Sequence, residues 1–155
     1  NAGGDILTFN APLDLGIFAI YVRLEAAEFD GDFIFEETPN EFIKLHDTNN
    51  IRIKIAGGSR HDISSGVELE LDTKFNIGFE REDTAATTDD QMFVFIDNVN
   101  KAFDGGNGTQ DITELLEITT IGKPTDHCKF YEIIICEDAL NNTDRASLNT
   151  YLNTI

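Results

Sequence analysis

Apolar and polar residues alternate with a period of two along several stretches of this chain. IRIKI (Ile51 to Ile55), VELEL (Val67 to Leu71) and KFNIGF (Lys74 to Phe79) each carry this pattern. Successive side chains of an extended strand point to opposite faces, so the pattern predicts three half-buried strands. Continuous apolar runs, GIFAIYVRL (Gly16 to Leu24), FIKL (Phe42 to Leu45), MFVFI (Met92 to Ile96) and YEIII (Tyr131 to Ile135), predict strands nearer the centre of a sandwich. Between these segments stand Asp30-Gly31-Asp32, Thr38-Pro39-Asn40, Gly57-Gly58-Ser59 and Gly105-Gly106-Asn107-Gly108, whose Gly, Asn and Pro residues suit turn dihedrals. Many short strands separated by turn chemistry indicate an all-β fold, an antiparallel two-sheet sandwich or jelly roll.

One helix is expected, at the end of the chain over about residues 142–153. Asn141 is its N-cap, Asp144 stands three residues on beside the positive end of the helix dipole, and Leu148, Tyr151 and Leu152 form an apolar stripe. No internal repeat, low-complexity tract or linker divides the sequence, so residues 1–155 read as a single domain. A chain of this length buries about 70% of its unfolded surface, enough for a core without staples.

The C-terminal stretch FYEIIICEDALNNTDRASLNTYL (Phe130 to Leu152) resembles the last strand and closing helix of laminin-G-like and concanavalin-A-like jelly rolls. FNIGFERED followed by QMFVFIDNVNKAF (Phe75 to Phe103) resembles the central hairpin of that superfamily. LLEITTIGKP (Leu115 to Pro124) resembles the strand leading to the final one, and GIFAIYVRL an early strand. The tight turn that is often Asn-Gly in relatives is Asp97-Asn98 here; both residues tolerate positive φ. The usual tryptophans are absent, and the opening strand is only GGDILTF. The resemblance implies a concanavalin-A-like sandwich with a short C-terminal α-helix. It also implies a module used for binding or spacing in adhesins, phage tail fibres, bacterial surface proteins and carbohydrate-active enzymes.

Charge narrows the partners. With 29 acidic against 11 basic residues the formal charge is -18, which repels nucleic acid and anionic lipid. No apolar run approaches the roughly 18 residues of a membrane-spanning helix, so membrane insertion is not expected. The first residue is Asn1 rather than Met, which reads as a processed chain or a piece of a longer one. Cys128 and Cys136 bound one expected strand, which holds their Cα atoms about 26 Å apart, far beyond the roughly 7 Å limit for a disulfide. Two free thiols follow.

Candidate chemistry is sparse. Glu68, Glu70 and Asp72 share one face at period two, but the order Glu-x-Glu-x-Asp differs from the Glu-x-Asp-x-x-Glu of retaining glucanases. A cross-strand ladder with Arg52 and Lys54 explains them better. His46, His61 and His127 match no metal spacing and read as surface residues. Calcium is a candidate cofactor at Asp104, Asn107 and Asp111, whose oxygens flank a Gly-rich loop, with Asp30 and Asp32 a weaker second loop. Asn107-Gly-Thr109 and Asn141-Asn-Thr143 match the N-glycosylation pattern and are assigned no function.

A carbohydrate site is expected on the sheet face opposite the core. If Phe18, Ile20, Val22 and Leu24 point inward, then Tyr21 and Arg23 point outward, and Arg52, Lys54 and Asn76 leave the core on their own strands. Gathered on one surface, these five residues suit sugar hydroxyls or an acidic sugar. The leading expectation is a non-catalytic carbohydrate-binding or adhesion module of a virion, such as a phage tail fibre, or of a bacterial surface protein. Its partner would be a glycan or host-surface polysaccharide, its setting extracellular, and its parent a fibre or surface assembly in which a homo-oligomer is reasonable. The alternatives are a structural assembly module with no small ligand and a diverged glycoside hydrolase.

Overall fold

The computed structural model describes residues 6–28, 33–38, 41–47, 50–55, 61–63, 69–82, 92–101, 115–122 and 127–155, with backbone alone at 33, 36–38, 47, 50 and 61–63. Among the described residues it is all-β apart from one helix. One sheet contains β1 (Leu7–Leu15), β3 (Phe33–Thr38), β4 (Glu41–Asp47), β5 (Asn50–Lys54), β6 (His61–Ile63) and β10 (Leu116–Ile121), in the order β1-β10-β3-β4-β5-β6. The other contains β2 (Phe18–Ala26), β7 (Lys74–Arg81), β8 (Met92–Ile96), β9 (Val99–Lys101) and β11 (Cys128–Cys136), in the order β11-β2-β7-β8-β9. Every pairing is antiparallel. Helix α1 (Asn142–Leu152) closes the chain.

The core fills the space between the sheets. Phe18, Ile20, Val22 and Leu24 of β2 meet Phe75, Ile77 and Phe79 of β7 and Met92, Val94 and Ile96 of β8 on one layer. Ile34, Phe35, Ile43, Leu45, Ile51, Ile53, Leu116 and Ile118 form the other. The inward direction expected for Phe18 to Leu24 is therefore observed. The β8–β9 hairpin turns at Asp97-Asn98, with φ of 48° and 68°. Such a turn matches strand twist only when both central residues adopt positive φ, and Asp and Asn do so at low cost.

Two expectations about strands are corrected. VELEL is not a ladder strand where it is described: Leu69 and Glu70 lie outside regular structure, and Leu71 and Asp72 form a turn with Asp72 at φ 55°. Val67 and Glu68 lie outside the described residues. The physical reason is topological, because β6 belongs to the six-stranded sheet and β7 to the five-stranded one, and the segment between them carries the chain across. The charge ladder is lost with it: the register partners of Arg52 are Lys44 and Asp62, and that of Lys54 is Phe42. Strand β7 also departs from its half-buried pattern, since Phe75 to Arg81 are all buried. Its outer face is covered by α1.

At the end of the chain, Asn141 caps α1 by accepting from the backbone N–H groups of Thr143 and Asp144 at 2.9 and 3.0 Å. Leu152 is fully buried and Leu148 packs beside it, while Tyr151 is exposed. The stripe that seats the helix is thus Arg145, Leu148 and Leu152, a spacing of three and four residues along one helical face. Cys128 is buried and Cys136 half-buried, both as free thiols.

Candidate functional site

Where α1 lies on the outer face of the five-stranded sheet, the contact combines an apolar cluster with buried polar groups. Its apolar part is small: Ala19, Tyr21 and Leu152, with Ile134, Cys136, Leu140 and Leu148 around them. Glu80 points outward from β7 into this interface and is fully buried. Arg145 answers it from the helix, donating from Nε to Oε1 at 2.8 Å and from Nη2 to Oε2 at 2.7 Å. This two-pronged geometry is the strongest that a guanidinium and a carboxylate can form. Tyr21 donates its hydroxyl to the same Oε1. Burial, then the bond to Glu80, pushes the Tyr21 phenol well above its ordinary range, and the same carboxylate holds the Arg145 guanidinium in its charged form.

A glycine permits the arrangement. Gly78 pairs with Tyr21 across the ladder, and a Cβ built at Gly78 would fall 2.6 Å from the tyrosine Cζ. Only a residue without a side chain lets that ring lie flat across β7.

Arg145 completes its bonding with the Leu140 carbonyl at 2.8 Å and the Asn142 side-chain oxygen at 2.6 Å, and its guanidinium stacks on Phe95 at 4.1 Å. Beyond Phe95 the sheet face opens. A cleft of about 510 Å³ lies between the N-terminal turn of α1 and the β8–β9 hairpin, lined by Glu82, Phe93, Phe95, Asn98, Asn100, Asn142 and Arg145. That volume falls within the roughly 300–1,000 Å³ usual for small-molecule sites. Phe93 and Phe95 project from β8 on the face away from Val94, and Asn100 stands opposite Phe95 on β9. Phe95 is buried and its face is taken by Arg145; Phe93 is only half-buried and supplies the accessible ring. Glu82, Asn98, Asn100 and Asn142 are exposed along the walls.

The residues expected to bind a sugar do not converge. Tyr21, Arg23 and Asn76 leave the core on the outer face of the five-stranded sheet, whereas Arg52 and Lys54 alternate with the buried Ile51 and Ile53 on the other sheet and so face the opposite side of the sandwich. Tyr21 and Asn76 are each only 2% exposed. Arg23 donates to Asn76 and Asn153 at 3.0 Å, and Asn76 donates to Asn149 at 2.8 Å and Asn153 at 3.1 Å, so these groups hold the last turn of α1. Period-two reasoning sends them out of the core correctly but cannot show that a helix covers the same face. Asp104, Asn107 and Asp111 lie outside the described residues, as do Asp30 and Asp32. Among the described residues no group of three or more His, Cys, Asp or Glu side chains is placed to hold a metal.

The cleft residues were missed from sequence, although two signals pointed to them. MFVFI is apolar at every position, which implies cover on both faces of the strand, and Arg145 stands three and seven residues before Leu148 and Leu152, on the same helical face.

No family model matches the chain, and no curated protein matches it in sequence. Solved structures do. The chain is similar to a heptameric SAP-like pentraxin from Limulus polyphemus, at 12% identity over 93% of this chain and 75% of the pentraxin, with a TM-score of 0.66. The fold is a concanavalin-A-like jelly roll. It is also similar to part of the sialidase of Trypanosoma rangeli, at 15% identity over 88% of this chain and 23% of the enzyme, with a TM-score of 0.61. A third likeness is to botulinum neurotoxin type C, in a structure whose subject is cell entry through two ganglioside molecules. There the identity is 12% over 97% of this chain and 45% of the toxin chain, with a TM-score of 0.60. The jelly roll therefore spans less than half of the toxin chain and about a quarter of the enzyme.

Proposed function

We propose that this domain is a non-catalytic carbohydrate-binding module and that the cleft beside Phe93 takes the sugar. The observation that carries the reading is the half-buried Phe93 ring set among the side chains of Asn98, Asn100, Asn142 and Glu82. A pyranose presents an apolar C–H face and a rim of hydroxyls, and an aromatic floor with amide and carboxylate walls is complementary to both. The walls sit on a tight hairpin and on the capped first turn of a helix, which limits the ordering that binding would require. The ganglioside interaction of the toxin that shares this fold supports a glycan as the ligand at the level of the fold, without bearing on the charge of the sugar.

Among the described lining residues Glu82 is the one exposed carboxylate, whereas most glycoside hydrolases use a pair. Glu80, the nearest other acid on β7, has both oxygens engaged by Arg145 and Tyr21. This favours binding without turnover. A glycan array followed by titration calorimetry on the wild type and Phe93→Ala is the test. A sugar bound by the wild type and lost at least tenfold in Phe93→Ala supports the site. An array with no hits, or equal binding by the variant, refutes it, and reducing-sugar release by the wild type would replace the module with a hydrolase.

The finer context is a proposal of the same kind: a laminin-G-like branch of the superfamily, an extracellular setting on a virion or bacterial surface, and a homo-oligomeric parent. Neighbouring sequence of the parent chain tests the setting, and sedimentation of the parent tests the oligomer. Calcium at Asp104, Asn107 and Asp111 is tested by thermal unfolding with excess calcium and with chelator; a Tm that rises with calcium supports it, and an unchanged Tm refutes it.

A further inference from the structure

We infer that the cleft selects uncharged sugars and discriminates against carboxylated ones, an inference that rests on the proposed carbohydrate-binding role. The reason is the state of the one cation among its described lining residues. Among the lining residues Arg145 alone is basic, and its guanidinium donates to both oxygens of Glu80, to the Leu140 carbonyl and to Asn142 while its face lies on Phe95. The ion pair is neutral as a unit, and no donor direction is left for a ligand carboxylate to use bidentately.

The neighbouring cations are turned away. Arg81 follows Glu80 on β7, and Lys101 follows Asn100 on β9; by strand alternation each belongs to the face opposite the cleft. Arg81 is fully buried on that side, and Lys101 pairs in register with the core residue Val94. Among the described lining residues, what remains for a ligand is one negative charge, Glu82, and three amides, within a chain of formal charge -18. A carboxylate oxygen pair accepts two adjacent hydroxyls well, and amides both give and accept. A sialic or uronic acid meets the Glu82 charge with nothing to neutralise it.

The side chains of Glu82 and Phe93 therefore divide the work. Phe93 contributes affinity for any pyranose face, and Glu82 contributes selection by accepting from hydroxyls and repelling anions. The expected surface of Tyr21, Arg23, Arg52, Lys54 and Asn76 suited hydroxyls or an acidic sugar; none of the five is among the described residues that line the cleft.

The test is calorimetry with matched pairs of oligosaccharides, one neutral and one carrying the same core capped by sialic or glucuronic acid, at low and at physiological salt. The neutral member is expected to bind, and its capped partner to bind about tenfold or more weakly at low salt, with the gap narrowing as salt screens the charges. Glu82→Gln is expected to weaken the neutral sugar by about tenfold, by loss of charged hydrogen bonds, and to narrow the gap between the pair. Glu82→Lys is expected to invert the preference. Glu82 is exposed, so both variants should retain the wild-type unfolding profile, which is checked in parallel. Equal or tighter binding of the capped member, with Glu82→Gln unchanged, overturns the inference and leaves the carbohydrate-binding role standing. Failure to bind any sugar, neutral or charged, removes that role and the inference together.

Discussion

Replacing Arg145 by alanine strips Glu80 of its cation in a place that water does not reach. The side chain of Glu80 is 0% exposed and that of Arg145 is 9%. The substitution removes the two hydrogen bonds to the carboxylate, those to Leu140 and Asn142, and the stacking on Phe95. The Tyr21 hydroxyl then remains as the carboxylate's hydrogen-bond donor. Breaking a buried pair from one side costs about 3–5 kcal/mol, because the charge left behind is desolvated without compensation. For a domain of this size that corresponds to a Tm lower by about 10 °C. The assay is urea unfolding followed by far-ultraviolet circular dichroism, since the chain has no tryptophan for fluorescence. A cycle of Arg145→Ala, Glu80→Gln and the double variant should give a coupling of about 2 kcal/mol or more. Replacing both residues by methionine together with Tyr21→Phe should come within about 1 kcal/mol of the wild type, because an apolar cluster avoids the desolvation and leaves no buried hydroxyl unpaired. An Arg145→Ala loss below about 1 kcal/mol with an unchanged denaturant slope would refute the reasoning, as would a coupling near zero.

Other outcomes follow from the same interface. Tyr21 is raised above its ordinary value of 10.0 in the folded protein, so its contribution is complete below about pH 10 and declines as pH climbs past that point, with a slope of at most about 1.4 kcal/mol per pH unit. Tyr21→Phe should flatten this alkaline decline relative to the wild type in urea titrations between pH 9 and 11 (roughly the window in which the unfolded phenol ionises); parallel curves for the two proteins would contradict it. Gly78→Ala should cost about 1–3 kcal/mol by overpacking against the Tyr21 ring, and far less in a Tyr21→Ala background, which denaturation of the single and double variants measures. Asn141→Ala should cost about 1 kcal/mol through loss of the cap to Thr143 and Asp144, read as a fall in Tm, and Asn141→Ser should restore most of it.

Much of this molecule was legible in its residues. The inward set Phe18, Ile20, Val22 and Leu24, the hairpin turn at Asp97-Asn98, the cap at Asn141 and the separation of the two cysteines all depend on local geometry. Periods of two and of 3.6 report such geometry directly, since they fix which side chains share a face of one element. VELEL shows the limit of the method: its alternation suits a strand, but its described residues, Leu69 to Leu71, lie outside any strand, between β6 of one sheet and β7 of the other.

The candidate site belongs to the other category. Tyr21, Arg23 and Asn76 leave the core as their alternation demands, yet α1 comes down on them from more than sixty positions further along the chain. Phe93 and Asn100 become neighbours only through the β8–β9 register, and Asn142 joins them only because Arg145 finds Glu80 beneath the helix. The sequence alone determined which face each strand presents and where the helix begins. Which outward face is covered and which stays open to a ligand was decided by tertiary packing, because burial of an outward residue depends on an element remote in sequence, and no local period records it.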